Sequence, residues 1–200
     1  MKTNRPLRTV LLDAPMSHYF RRKFADLADD ELETRSEEAL RFLFISHECV
    51  GAIPISKDID EIWHAWILQT QEYMVLCERL PTGRYIHHSA NDYLSFFDPL
   101  VSERDGLEHD VKMLALYVIN FGPFDERRAM HWLLARHLLQ RCRWSVSTLN
   151  EWLLSEPRGI AKPRPMSAFA ATMPNRYSRN CVEAKRGTGD SVSFNGEGRV

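Results

Sequence analysis

The most constraining feature of the sequence is an apolar stretch that covers almost the whole circumference of a predicted helix. Thr34 followed by Glu37 is a capping-box pattern, in which each side chain satisfies an orphan backbone donor where a helix begins. The apolar positions that follow are Ala39, Leu40, Phe42, Leu43, Phe44 and Ile45. They cover too many sides for a surface helix, so we expect this element to lie in the centre of the core.

Helical periodicity recurs along most of the remaining chain. Besides the helix that opens at Thr34 and ends before Pro54, the predicted helices span residues 17–29, 56 or 58–80, 91–97, 104–120, 125–142 and 147–154. A short apolar stretch at 10–12 could add an edge strand or pack on the body. The sequence therefore predicts an all-α fold, a compact multi-helix single domain.

The predicted domain organisation has three parts. Residues 1–16 form a leader, residues 17–155 form the helical domain, and residues 156–200 form a tail. The tail is rich in proline and glycine and holds eight basic and four acidic groups. Such a segment cannot bury enough apolar surface to offset the entropy lost on ordering, so we expect it to be disordered.

Composition excludes several classes of protein and partner. The chain has 44% hydrophobic residues, and its 26 basic groups balance 27 acidic ones, so charge does not favour a nucleic-acid partner. Every apolar run is shorter than the ~18 residues of a membrane span, and no secretion signal is evident. We therefore expect a cytoplasmic protein with no membrane partner. Its four cysteines are too widely spaced for a zinc knuckle or a disulfide framework.

One segment carries residues that could perform chemistry. Asp60 and His64 are four residues apart on a predicted helix, so their side chains lie on one face. A turn at 81–83 ends that helix, and His87 and His88 follow it. One of these two histidines could fold back to complete a three-ligand site for a divalent transition metal. Zinc, iron and manganese all accept such nitrogen and oxygen ligands.

The same residues also have a structural interpretation. Asp60 could cap the helix or orient His64, while His87 and His88 hold the following loop by hydrogen bonds. The chain would then be a non-enzymatic interaction or accessory module whose apolar faces receive a protein partner. His47 could join the candidate site if the two helices pack antiparallel, although a histidine near a helix C-terminus is also favoured by the helix dipole.

Other catalytic arrangements lack their usual motifs. The sequence has no nucleophile elbow, no glycine-rich phosphate loop and no H-E-x-x-H zinc motif. Cys77 could in principle pair with His87 or His88 as a nucleophile, but the favoured interpretation is burial as a small apolar residue. Whether the candidate metal site would serve an enzyme is left open by the pattern.

A longer pattern surrounds the candidate site. It reads Ile59-Asp60-Glu61-Ile62-Trp63-His64, continues through Tyr73 and Cys77, and ends in Gly83-Arg84-Tyr85-Ile86-His87-His88. This pattern resembles the glycine-rich domain-containing protein-like family, which has no settled activity. Many members carry a second histidine two positions after the first, where this chain has Trp66. The resemblance therefore points to Asp60, His64 and the His87-His88 pair, and it does not extend beyond about residue 98.

Overall fold

The computed structural model describes residues 6–48, 53–88 and 103–155, and within them it contains nine α-helices and no β-strand. The helices are α1 (Arg8–Leu11), α2 (Ala14–Lys23), α3 (Asp29–Ile45), α4 (Lys57–Ile67), α5 (Thr70–Arg79), α6 (Glu103–Phe121), α7 (Glu126–Ala129), α8 (Leu133–Gln140) and α9 (Val146–Ser155). The predicted all-α class is confirmed. The predicted helix at 91–97 and the predicted tail at 156–200 lie outside the described residues.

The chain divides into two units, and the described residues all belong to the first, Met1–Ala161. The second, Lys162–Val200, lies outside them. Within the described residues, no helix is both long and apolar enough to cross a membrane.

Helix α3 is the central element of the core, as predicted. It packs against α1, α2, α4 and α6. Five of its apolar residues are fully buried even though they point to different sides of the helix, and a sixth, Phe44, is half-buried; the five are Ala39, Leu40, Phe42, Leu43 and Ile45. A helix enclosed on several sides needs apolar residues around most of its circumference, which is what this segment supplies.

The start of α3 differs from the prediction. The helix begins at Asp29, and the Thr34 hydroxyl donates to the Asp30 carbonyl instead of capping. Glu37 accepts the backbone N–H groups of Leu7 (3.0 Å) and Arg8 (2.9 Å). The predicted capping box is therefore wrong, because Glu37 is used to hold the start of α1 against α3.

The leader contains helix where the sequence suggested a strand or loose packing. Residues 8–11 form α1, and α2 begins at Ala14, earlier than the predicted start at 17. Asp13 caps α2 by accepting the Met16 N–H (2.8 Å), and Pro15 lies in the first turn, where a missing N–H costs nothing.

Two predicted helices are each divided in two. The 58–80 helix breaks at Leu68 and Gln69 into α4 and α5. The 125–142 helix breaks at residues 130–132 into α7 and α8, because Trp132 forms an antiparallel bridge with Ile55. Both predicted single helices are therefore wrong.

Candidate metal centre

Helix α4 carries the first two residues of the candidate site on its solvent edge. Its core face is buried through Ile59, Ile62, Trp63, Ala65 and Trp66. Asp60 and His64 lie beside this face, one turn apart. His64 Nδ1 is 2.8 Å from the Asp60 carbonyl oxygen and 3.3 Å from Asp60 Oδ2. Both neighbours of Nδ1 are acceptors, so a hydrogen bond from this nitrogen requires the tautomer with its proton on Nδ1.

The segment 81–88 returns from the end of α5 to α4 and supplies the third residue. Gly83 has a φ of +61°, a left-handed conformation that glycine adopts without strain, and its N–H donates to the Leu80 carbonyl (2.9 Å). His88 then approaches α4, where its Nε2 is 3.1 Å from Asp60 Oδ1. Its ring centroid is 4.3 Å from that of His64.

These three side chains form a group that could hold a metal ion. One ligand atom from each of Asp60, His64 and His88 lies within 4.8 Å of the other two, and no other such group of three occurs among the described residues. A tetrahedral ion with bonds of ~2.0 to 2.2 Å separates its ligand atoms by roughly 3.4 Å. His88 Nε2 is 3.1 Å from Asp60 Oδ1 and His64 Nδ1 is 3.3 Å from the other carboxylate oxygen, Oδ2, so side-chain rotation within the 4.8 Å group would have to bring one atom of each residue to a common ion. The donor set, two imidazoles and one carboxylate, fits a borderline-soft divalent ion.

The group is open to solvent on one side. The side chain of His64 is 50% exposed and that of Asp60 is 31% exposed, whereas His88 is 15% exposed. An ion held by three protein ligands there would keep at least one position accessible to water or a ligand. Catalytic zinc sites have this arrangement, whereas structural ones are closed by four protein ligands.

His87 and His47 do not belong to the group. His87 is exposed, and its ring lies against Tyr85 with centroids 4.9 Å apart. His47 lies on the 3-10 turn after α3 and is also exposed. Of the two adjacent histidines proposed from the sequence, only His88 contacts Asp60, and His87 lies outside the group.

Tyr73 contributes to the site, and sequence analysis missed this role. Its hydroxyl accepts the Trp63 Nε1–H (2.9 Å) and donates to the Ile86 carbonyl (2.7 Å). Burial raises the pKa of Tyr73, so the hydroxyl keeps its proton and remains a donor. The sequence does hold a signal for this role: Tyr73 lies on the core face of the predicted helix. A buried Tyr hydroxyl usually has a hydrogen-bond partner, so such a residue is expected to join two parts of the chain.

A second polar cluster lies inside the core and was also missed. The Glu38 carboxylate accepts Trp132 Nε1–H (2.9 Å) and Tyr117 O–H (3.1 Å), and Arg41 lies 3.4 Å away. Arg41 also pairs with Glu37 (3.0 Å). Burial raises the pKa of Glu38 to about 7, against the opposing effect of Arg41 and the two ring donors. With Glu38 only 1% exposed, this cluster joins helices rather than receiving a ligand.

We expect Glu38 to make stability depend on pH. A carboxyl whose folded pKa lies above its unfolded value contributes stability that is complete below about pH 4.5 and is lost as pH rises through about 7. From pH 5 to pH 8 the loss should be roughly 2 to 3 kcal/mol. The measurement is urea unfolding of the wild type and of Glu38→Gln across this range.

The difference between the two proteins isolates Glu38 from other titrating groups. Burial lowers the pKa of His131, so the contribution of this histidine to stability increases as pH rises. Because His131 is present in both proteins, its contribution cancels when their stabilities are subtracted. Parallel stability curves for the two proteins would show that Glu38 does not change its protonation between pH 5 and pH 8.

No family model, curated protein or solved structure matches the chain. The resemblance to the glycine-rich domain-containing protein-like family therefore stays a prediction, and the interpretation of the site depends on the geometry of Asp60, His64 and His88.

Proposed function

We propose that the protein is a helical metal-binding protein that holds one divalent transition-metal ion between Asp60, His64 and His88. The observation that carries the proposal is the convergence of three ligand atoms within 4.8 Å from two separate parts of the chain. On this proposal the chain is a member of the glycine-rich domain-containing protein-like family, whose pattern includes the same Asp, His and His-His positions.

Zinc is the first candidate ion. It takes imidazole nitrogen and carboxylate oxygen together and has no strong geometric preference of its own, and iron and manganese accept the same donors. The three protein ligands would leave a coordination position open on the exposed side of His64. An ion with such a position can polarise a bound oxygen or activate water, so the site would be competent for Lewis-acid chemistry.

A second interpretation has its own support. His88 Nε2 and Asp60 Oδ1 are 3.1 Å apart, so a direct hydrogen bond can fasten segment 81–88 to α4 without any ion. The chain would then be an interaction or accessory module, and Asp60, His64 and His88 would only hold this surface in shape for a protein partner. The two interpretations differ in whether the three residues bind metal.

The test is zinc binding by the full-length chain, purified without a histidine tag and stripped with a chelator. Isothermal titration should give one zinc per chain. Removing a residue that only orients a ligand typically weakens metal binding about 10- to 100-fold. Removing a ligand itself should cost more, so we expect His64→Ala, Asp60→Ala and His88→Ala each to weaken binding about 100-fold or more. Binding should also weaken as pH falls, because protons compete for the ligands.

His87→Ala is the matched control, since it removes a neighbouring exposed histidine that lies outside the group. It should bind zinc as the wild type does. Folded wild-type protein that takes up no zinc, iron or manganese would support the structural interpretation. The same holds if all three ligand variants bind metal as tightly as His87→Ala.

A further inference from the structure

His88, the proposed third ligand, lies on a segment that leaves α5 through an exposed turn, and its position depends on the contacts of the residues that precede it. We propose that Tyr73 is a positioning residue that presents His88 to Asp60 and His64, so that metal binding and docking of segment 81–88 are one coupled event. This inference rests on the proposed metal-binding function and adds its regulation by the fold.

The Tyr73 hydroxyl is the anchor of the segment. The ring is fully buried and the hydroxyl lies between Trp63 Nε1 (2.9 Å) and the Ile86 carbonyl (2.7 Å). Trp63 is itself held in the core against Phe42, with ring centroids 5.3 Å apart. The hydroxyl therefore has a fixed position, and it fixes the backbone two residues before His88.

Ring contacts complete the docking. The Trp63 ring lies edge-on to the His88 ring, with centroids 4.5 Å apart. The His88 ring also contacts the His64 ring. Further back along the segment, Tyr85 packs against the Tyr73 ring at 5.2 Å. Trp63 belongs to α4 and Tyr73 belongs to α5, so side chains of these two helices fix the position of the His88 ring.

Coupling follows from linkage. An ion that uses His88 binds only chains in which the segment is docked, so its apparent affinity falls in proportion to the docked fraction. Removing the Tyr73 hydroxyl leaves the Ile86 carbonyl and the Trp63 N–H without this partner and reduces that fraction. In return, bound metal stabilises the docked segment.

The experiment compares full-length wild type, Tyr73→Phe and the control Tyr85→Phe. Tyr85→Phe removes only the hydroxyl of an exposed side chain and keeps the contacts of its ring with Tyr73 and His87. Zinc titration should show binding about 10- to 100-fold weaker in Tyr73→Phe and unchanged within about twofold in Tyr85→Phe. Hydrogen exchange read by mass spectrometry should show that zinc slows exchange in residues 81–88 of the wild type.

In metal-free Tyr73→Phe, exchange should rise in 81–88 and stay unchanged in α3, where a general loss of folding would also appear. Wild-type protein that binds zinc with no slowing in 81–88 would overturn the inference without any variant. So would zinc binding by Tyr73→Phe as tight as that of the wild type. Wild type that binds no zinc removes the metal-binding function first, and the coupling with it.

Discussion

Replacing Glu38 with alanine is expected to lower the free energy of unfolding by about 3 to 5 kcal/mol, because two buried donors lose their acceptor and each unsatisfied buried donor costs about 1 to 3 kcal/mol. The carboxylate is the common acceptor for Trp132 Nε1–H and Tyr117 O–H, and it also faces Arg41. These donors come from three different parts of the chain. Their loss of a shared acceptor should loosen the packing of α6 and the 130–132 turn on α3.

Glu38→Gln separates the hydrogen bonds from the charge. The amide oxygen can still accept one ring donor, and a neutral side chain resembles the protonated carboxyl that burial favours. We therefore expect a loss of about 1 kcal/mol, the net value of a typical hydrogen bond. Urea unfolding followed by tryptophan fluorescence near pH 6 measures both variants, since Trp132 is in direct contact with the substituted side chain.

Glu33→Ala is the control on the same helix. Glu33 is exposed and pairs with Arg8 at 2.8 Å, and exposed pairs of this kind contribute about 0 to 1 kcal/mol. The free energy of unfolding should fall much more in Glu38→Ala than in Glu33→Ala. Equal losses would show that the Glu38 cluster does not hold these helices together.

The fold was predictable where local pattern and burial agree. The apolar circumference of residues 39–45 requires a central helix, and α6 and α9 occupy nearly their predicted spans, 104–120 and 147–154. Helix ends were less predictable. Glu37 looked like part of a cap for α3, but it accepts backbone donors from residues about 30 positions earlier, a contact that no local pattern contains.

The breaks within predicted helices have the same cause. Residues 67–70 contain neither glycine nor proline, so the sequence gives no reason to end α4. In one continuous helix, Trp63 and Tyr73 would be about 15 Å apart along the axis. Their 2.9 Å hydrogen bond requires the chain to fold back at Leu68 and Gln69. A tertiary contact thus overrides a helical pattern that is locally complete.

The candidate site shows what spacing can and cannot predict. A spacing of four positions from Asp60 to His64 suffices to place both on one edge of a helix. The choice between His87 and His88 depends on the path after Gly83, which Tyr73 fixes through the Ile86 carbonyl. The spacing of the two adjacent histidines does not contain this path. The partners of Glu38 are equally absent from local spacing, since Tyr117 and Trp132 are distant in the sequence.

Trp66→Ala is expected to lower the free energy of unfolding by about 3 to 5 kcal/mol, the usual result of truncating a large aromatic side chain in the core. Trp66 is 1% exposed and packs edge-on against Phe20 of α2, with ring centroids 5.2 Å apart. Its removal would leave a cavity between α2 and α4. Trp66→Phe should cost less than about 1.5 kcal/mol, since it keeps most of the volume and removes an indole N–H that has no described partner.

The neighbouring Leu68→Ala is the control. Leu68 is 67% exposed, so its truncation should change stability by no more than about 0.5 kcal/mol. Urea unfolding of the three variants gives the comparison. A Trp66→Ala loss close to that of Leu68→Ala would mean that α2 does not depend on this contact.

The same residue bears on the metal site. Position 66 is two residues beyond His64, about 200° around the helix, and therefore faces the core when His64 faces solvent. A histidine at 66, as in many members of the family that the sequence resembles, would lie in the apolar contact with Phe20 and away from Asp60. We therefore expect folded Trp66→Ala to bind zinc as tightly as the wild type, although it is far less stable. Weaker zinc binding by the folded variant would show that packing between α2 and α4 sets the geometry of Asp60 and His64.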